Sequence, residues 1–304
     1  MAISSGSKIL LTDYNTLQTN VNGILGTAPS TYRGYGQALQ SYQLPGKRVE
    51  TADWARLKVD ILKIASHQGL NANASIVALN SVVITAGTKV YASELVKFSN
   101  AYTAVANNPW LNAEFSDENF SPVLTSSRTA AWGGGSSAVI HTFTVDFGSA
   151  TNATYFYNSG GLMLLTAART GGSGTTQNSI WSNMLSSMGW VVIGPTTSWA
   201  SAGSGSSIGY YSLTTSDQLL FSVAGSGAYS TSYYAVYARS EANNAYNTAG
   251  NSRYMYFTVV FNDVHTNAFS DYVDGTLTSN AFYRRASGGN VNVTAPTATT
   301  TANL

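Results

Sequence analysis

One feature restricts the fold of this chain more than any other: a motif that recurs three times in its first hundred residues. The copies begin at Gly6, Gly46 and Gly87, spaced by 40 and 41 residues, and self-similarity at such a period marks a unit repeated along the chain. Each glycine is followed two residues on by a base (Lys8, Arg48, Lys89) and then by a β-branched residue (Ile9, Val49, Val90). A hydroxyl follows (Thr12, Thr51, Ser93), then an acid (Asp13, Asp53, Glu94) and an apolar anchor (Tyr14, Trp54, Leu95). The hydroxyls are N-cap candidates, and the acids fall in the first helical turn, where the helix dipole favours negative charge.

Apolar residues then recur at helical spacing. Tyr14, Leu17 and Val21 form one stripe, Trp54, Leu57 and Ile61 a second, and Leu95, Phe98 and Tyr102 a third. Three amphipathic helices of roughly 13–17 residues are predicted. They should stop near Gly26 and Pro29, near Gly69, and at Asn107, Asn108 and Pro109. None can bury its stripe alone, so the helices should pack together or dock on partner subunits. These nine side chains are the predicted attachment or oligomer interface. Asp13, Asp53 and Glu94 read as partners of the helix dipole in preference to a catalytic set, because equivalent places on separate helices need not converge.

The 304 residues suffice for two cores at roughly 100–200 residues per domain. Only 10% are charged, against about 25% in an ordinary soluble protein, so the surface must be mostly hydroxyl, amide and phenol. That suits an extracellular β-protein or a virion part better than a cytosolic enzyme. Residues 1–110 hold nine Lys or Arg and five acids, whereas residues 111–304 hold six Arg and nine acids. The two parts therefore differ in kind, and the net charge of +1 offers no field for nucleic acid or an acidic membrane. Without cysteine there is neither a disulfide nor a thiolate site. The first residues lack the basic and apolar regions of an export signal, and no stretch reaches the roughly 18 apolar residues of a membrane span. An extracellular-looking chain without a signal is expected of a protein assembled inside a host and released by lysis.

Beyond about residue 110 the period changes. His141 to Phe147 alternates apolar and polar residues as a half-buried strand does. Further strands are predicted at 155–157, 161–169, 190–193, 209–214, 219–224, 233–239 and 254–264. Glycine- and serine-rich turns such as Gly133 to Gly135 and Gly171 to Gly174 separate several of them. A helix is expected over Thr176–Met188, lying across a sheet. The fold class is therefore α+β, with a helical repeat region over 1–110 and an antiparallel, jelly-roll-like β-sandwich over 111–289. The uncharged, Thr-rich stretch 290–304 is expected to pair as an extended arm along a neighbouring subunit.

Chemistry is sparse. His67, His141 and His265 stand in unrelated contexts, and no serine sits in a nucleophile elbow. A glycosidase would need two converging carboxylates from among Asp146, Asp217, Glu241, Asp263, Asp271 and Asp274. The Asp271 and Asp274 pair before Gly275 reads as a turn more readily than as a calcium or catalytic site. The glycine clusters lack the Lys-Ser/Thr of a phosphate cradle. No catalytic residue, metal ligand or cofactor is predicted. Tyr210, Tyr211, Tyr229, Tyr233 and Tyr234 are candidate stacking platforms for sugars, set against ordinary packing roles for tyrosine in strands.

The opening from Ile3 through Gly6, Lys8, Ile9, Asp13, Tyr14 and Leu17, echoed from Gly46 to Leu57, resembles the start of virion structural proteins of marine tailed phages, above all those of cyanobacteria. The segments His141–Phe147, Tyr155–Gly161, Arg169–Gly172 and Gln177–Trp181 resemble the β-body of the same proteins. The resemblance spans about two thirds of the chain and carries no catalytic residue. It implies a virion location, as a tail-fibre, neck or appendage protein. The expectation is a non-enzymatic, homo-oligomeric appendage, taken as a trimer, whose partners are itself and other virion proteins. A host-surface glycan adhesin is the alternative, and a polysaccharide depolymerase a third reading.

Overall fold

A computed structural model describes residues 9–27, 34–46, 48–87, 89–120, 125–134, 138–246, 251–265 and 272–303. Gly6, Lys8, Pro29, Gly135 and Asp271 lie outside the described residues. The fold is mixed α+β and divides into two compact units. The first comprises Met1–Ser116, Thr154–Gly161 and Arg285–Thr294, and the second Asp117–Ala153, Leu162–Arg284 and Ala295–Leu304.

The first unit is built on helices α1 (Leu11–Leu25), α2 (Thr51–His67), α3 (Ala74–Asn80) and α4 (Ala92–Ala106). Three of them start where the recurring motif places them, but not on the expected hydroxyls. The N-cap residues are Leu10, Glu50 and Tyr91, so Thr12, Thr51 and Ser93 already lie inside the first turn. The acid at the third helical position does the capping: Leu10 N–H donates to Asp13 at 2.8 Å, Glu50 N–H to Asp53 at 2.9 Å, and Tyr91 N–H to Glu94 at 2.8 Å. A carboxylate there reaches back to the N-cap amide while its charge faces the positive end of the dipole. Replacing Asp13, Asp53 or Glu94 by alanine should therefore cost about 1 kcal/mol each, read by urea unfolding. A loss of several kcal/mol from any one of them would contradict a capping role.

The apolar stripes close on one another within the chain. Tyr14, Leu17, Val21, Trp54, Leu57, Ile61, Leu95 and Phe98 are all buried, and Tyr102 is half-buried. Trp54 packs edge-on between Tyr14 and Phe98, with ring centroids 5.2 and 5.1 Å away. The expectation that these faces meet a partner subunit is thereby corrected. Three stripes that cannot be buried singly are buried by each other, and the same side chains are not exposed for a second chain. The carboxylate of Asp60, also buried, holds the return segment by accepting the Gln40 and Ser41 amides at 3.0 and 2.8 Å.

In chain order the strands are β1 (Phe115–Asn119), β2 (Thr125–Arg128), β3 (Val139–Asp146), β4 (Leu162–Thr170), β5 (Val191–Ile193), β6 (Ser198–Trp199), β7 (Gln218–Ala224), β8 (Tyr233–Ser240), β9 (Tyr254–Asn262), β10 (Thr276–Ala286) and β11 (Thr297–Asn303). They form two antiparallel sheets. One has the order β1-β10-β4-β5-β6, with β2 also on β10, and the other the order β11-β3-β9-β8-β7. His141 of β3 meets the hydroxyl of Ser279 of β10 at 2.8 Å, so the two sheets face each other across a shared core. Helix α6 (Thr176–Met188) lies over β4 and brings Trp181 against Trp132 and Phe261, with centroids at 4.5 and 6.5 Å.

Several expectations are revised. The segment 155–157 is the end of helix α5 (Ala150–Asn158), not a strand. Its buried positions Ala153, Phe156 and Tyr157 keep helical spacing, and Ser149 Oγ accepts the Asn152 amide as a cap would. The segment 209–214 is a 3-10 turn at Tyr210–Ser212. Within the chain, residues 290–303 turn back onto the protein's own strands. Val293 N–H bonds back to Ala286, and β11 pairs antiparallel with β3 from Thr297 opposite Asp146 to Asn303 opposite Ile140.

Candidate functional site

The sugar-platform tyrosines separate once placed in the fold. Tyr210, Tyr211 and Tyr234 are core residues. The Tyr210 hydroxyl donates to the Ser252 carbonyl at 2.8 Å, Tyr211 packs edge-on against Tyr210 and Tyr246, and Tyr234 stacks on Phe261 at 5.2 Å. Burial pushes the Tyr210 and Tyr234 phenols up from their ordinary pKa. A buried ring cannot stack on an external sugar, so the platform reading is corrected for these three. Tyr229, tilted against His265 at 4.5 Å, and Tyr233 are half-buried.

The outward face of the five-stranded sheet carries Tyr254 and Tyr256. Pairing puts Thr299, Thr144, Tyr256 and Arg239 in one row across β11, β3, β9 and β8, and Thr297, Asp146 and Tyr254 in the next. The Arg239 guanidinium lies 3.9 Å from the Tyr256 ring centroid and pairs with Asp217 at 3.5 Å. Arg253 lies over Tyr254 at 4.8 Å and grips both Asp146 oxygens at 2.6 Å. That hydrogen-bonded guanidinium holds the Asp146 carboxyl below the usual carboxylate range. The face is thus a ladder whose cations cover its own rings and are neutralised by its own acids.

Among the described residues the candidate acids serve separate structural roles. Asp263 is buried and serves as a hub, accepting Gln177 Nε2 and Ser232 Oγ at 2.6 Å each and the Gly134 amide at 3.2 Å. Asp274 is a clamp, taking the Ser173 amide at 3.0 Å, Arg169 at 3.2 Å and the Asn178 side chain. The Ser173 amide, ahead of the side-chain donors, holds the Asp274 carboxyl low. The expected local turn is thus a tie between loops about a hundred residues apart. Gly172, at φ +80°, belongs to it, since a Cβ there would stand 2.6 Å from both Arg169 and Asp274. The sequence hinted at this only through Asp274 beside Gly275. The hub at Asp263 left no local signal, because its donors come from three separate segments.

His67 is buried in the first unit and His141 in the second, and His265 packs against Tyr229. Among the described residues no group of three His, Asp or Glu side chains could hold a metal ion. A recess of about 200 Å³ between α6 and the end of β7 is lined by Ile180, Asn183, Met184, Ser187 and residues 223–226, with no acid, base or histidine on its wall. Comparison of the chain with protein-family models, with curated proteins and with solved structures gave no match.

Proposed function

We propose that this chain is a structural component of a tailed-phage virion, a homo-oligomeric appendage of the tail, neck or baseplate, taken as a trimer. The residues that resemble marine-phage virion proteins support the reading, and so does a surface that works with hydroxyls, amides and paired ions. In this reading the three capped helices are copies of one ancestral unit, and the two facing sheets are a jelly-roll-like sandwich.

The observation that carries the proposal is the edge strand β11. It runs for seven uncharged residues, pairs with β3 on one side only among the described residues, and exposes Thr297, Thr299 and Thr301. Monomeric proteins guard such edges with lysine, proline or a covering loop, because unpaired N–H and C=O groups recruit another strand. Strand β11 itself carries neither lysine nor proline, and although β2 comes near it the two do not pair among the described residues, so its hydrogen-bonding edge is open to completion by assembly. With Tyr14, Trp54 and the other stripe residues enclosed, attachment of the helical unit falls to the exposed Leu10, Val77, Val83 and Tyr91. Light scattering of the purified chain should give a stable multiple of the 32.1 kDa protomer mass. A monodisperse monomer at micromolar concentration would overturn the proposal, as would failure of the chain to appear in cross-linked intact particles.

A further inference from the structure

The outward face of the six-stranded sheet carries a second, different surface. Residues directly opposite in antiparallel strands share a face, and the pairing runs from Phe282 to Leu164, from Leu164 to Val192, and from Val192 to Trp199. The opposite face of the same strands carries Met163, Leu165, Ser279 and Tyr283, which belong to the core. This apolar row spans three strand spacings, about 14 Å. Trp190, two residues before Val192, packs its indole edge-on against Phe282 at 5.0 Å between centroids. The ring of Trp199 lies beside Gly194, where a Cβ would meet Leu162 at 3.2 Å and Trp199 at 3.7 Å. Glycine at that position lets the indole and Leu162 settle into one surface. The two tryptophans remain 43% and 46% exposed.

Two exposed indoles on one side of the sheet ask for an occupant. Since an aromatic side chain buries at most about 250 Å², the two together offer roughly 200 Å² of open ring. A stable protein interface needs about 800 Å² from each partner, so the strip is too small to hold a second copy by itself. A saccharide suits its size and chemistry. The apolar C–H face of a pyranose stacks on an indole, and the rest of the sugar needs hydroxyl and amide partners. The same sheet face continues with Thr166 opposite Asn280. Its cation, Arg284, is gripped by Asp117 through both carboxylate oxygens. With that charge cancelled, the strip has no attraction for nucleic acid or an acidic polymer.

We infer that the Trp190–Trp199 face of the six-stranded sheet is a binding site for a neutral glycan. The site stands whether or not the chain is a virion component, and it replaces the buried tyrosines as the place where a sugar stacks. Full-length protein should be probed on an array of neutral and acidic oligosaccharides, with isothermal titration of the best neutral member. Neutral glycans should be retained with a shift in indole fluorescence. Trp190→Ala and Trp199→Ala should each lower affinity at least tenfold with an unchanged circular dichroism spectrum. Trp199→Tyr, which keeps a flat ring and guards against misfolding of the alanine variant, should lose less. Gly194→Val should weaken binding by displacing the Trp199 ring. Retention of acidic glycans alone, retention of none, or affinity unmoved by both alanine variants would overturn the inference. So would alanine variants that change the mass in solution and leave glycan retention intact, since a second copy would then occupy the strip.

Discussion

Lowering the pH from 7.5 to 4.0 is expected to remove about 3 kcal/mol of stability from each of the two units, because each encloses one neutral histidine. His67 and His141 are fully buried, and burial pushes both imidazoles down to about 4, from an ordinary 6.5. His67 donates Nε2–H to the Ser159 carbonyl at 3.1 Å, which fixes the neutral tautomer and leaves Nδ1 without a partner. His141 spends Nδ1 on Ser279 at 2.8 Å, leaves Nε2 without a partner, and feels the nearby Arg128 charge as a smaller second cause. The sign follows from proton binding. Between pH 6.5 and 4 the unfolded chain takes up a proton at each histidine and the folded chain does not, so stability falls as pH falls and levels off below about 4. Asp146 and Asp274, whose carboxyls are held below the ordinary range, remain ionised through this window and add their loss only at lower pH. Urea midpoints across the range should show the slope, and His67→Gln with His141→Gln should flatten it. A stability that stays constant from pH 7.5 to 4.5 would show that the imidazoles ionise without opening the cores.

The second large effect is expected of Trp181→Ala. This indole is fully buried, sits on the sheet-facing side of α6 with Met184, Leu185 and Met188, and touches Trp132 and Phe261 between the two sheets. Removing it deletes the largest enclosed side chain of the sandwich core and leaves a cavity between rigid sheets that cannot close over it. The expected cost is about 3–5 kcal/mol, or roughly 10 °C in melting temperature for a unit of this size. Trp181→Phe, which keeps an aromatic edge for Trp132, should cost less than half as much. Calorimetry would measure both. A loss below 1 kcal/mol would mean that α6 does not close the core and that the sheets hold together without it.

Much of this architecture is legible in the sequence. The helix over Thr176–Met188 has the predicted bounds, and α1, α2 and α4 fall at the recurring motif. Strands β3, β4, β7, β8 and β9 lie within a residue or two of expectation, because period-two alternation is a local property. Strand β10 carries only a weak sequence pattern. Its core face alternates Leu277, Ser279, Ala281 and Tyr283, and a serine and an alanine dilute the apolar signal. Ser279 is explained only by His141, 138 residues away, which needs its hydroxyl. The aromatic triplet 155–157 suggested a strand by propensity, although the Ser149 cap and the Ala153, Phe156 and Tyr157 spacing already described a helix.

The chain by itself determined where its helices begin and which positions along each strand are apolar, because those depend on neighbours within a few residues. It also determined a surface poor in charge. Tertiary structure alone decided what the apolar faces meet: the three stripes enclose one another, Tyr210, Tyr211 and Tyr234 disappear into a core, and the terminal segment returns to β3. It alone aligned Phe282, Leu164, Val192 and Trp199, which lie on four separate strands, into one row in which Val192 is buried, Phe282 and Leu164 are half-buried and Trp199 stays exposed. Strand pairing joins residues far apart in sequence, and a shift of one residue exchanges the two faces of a strand, so no local pattern can say which aromatic ring is left facing water.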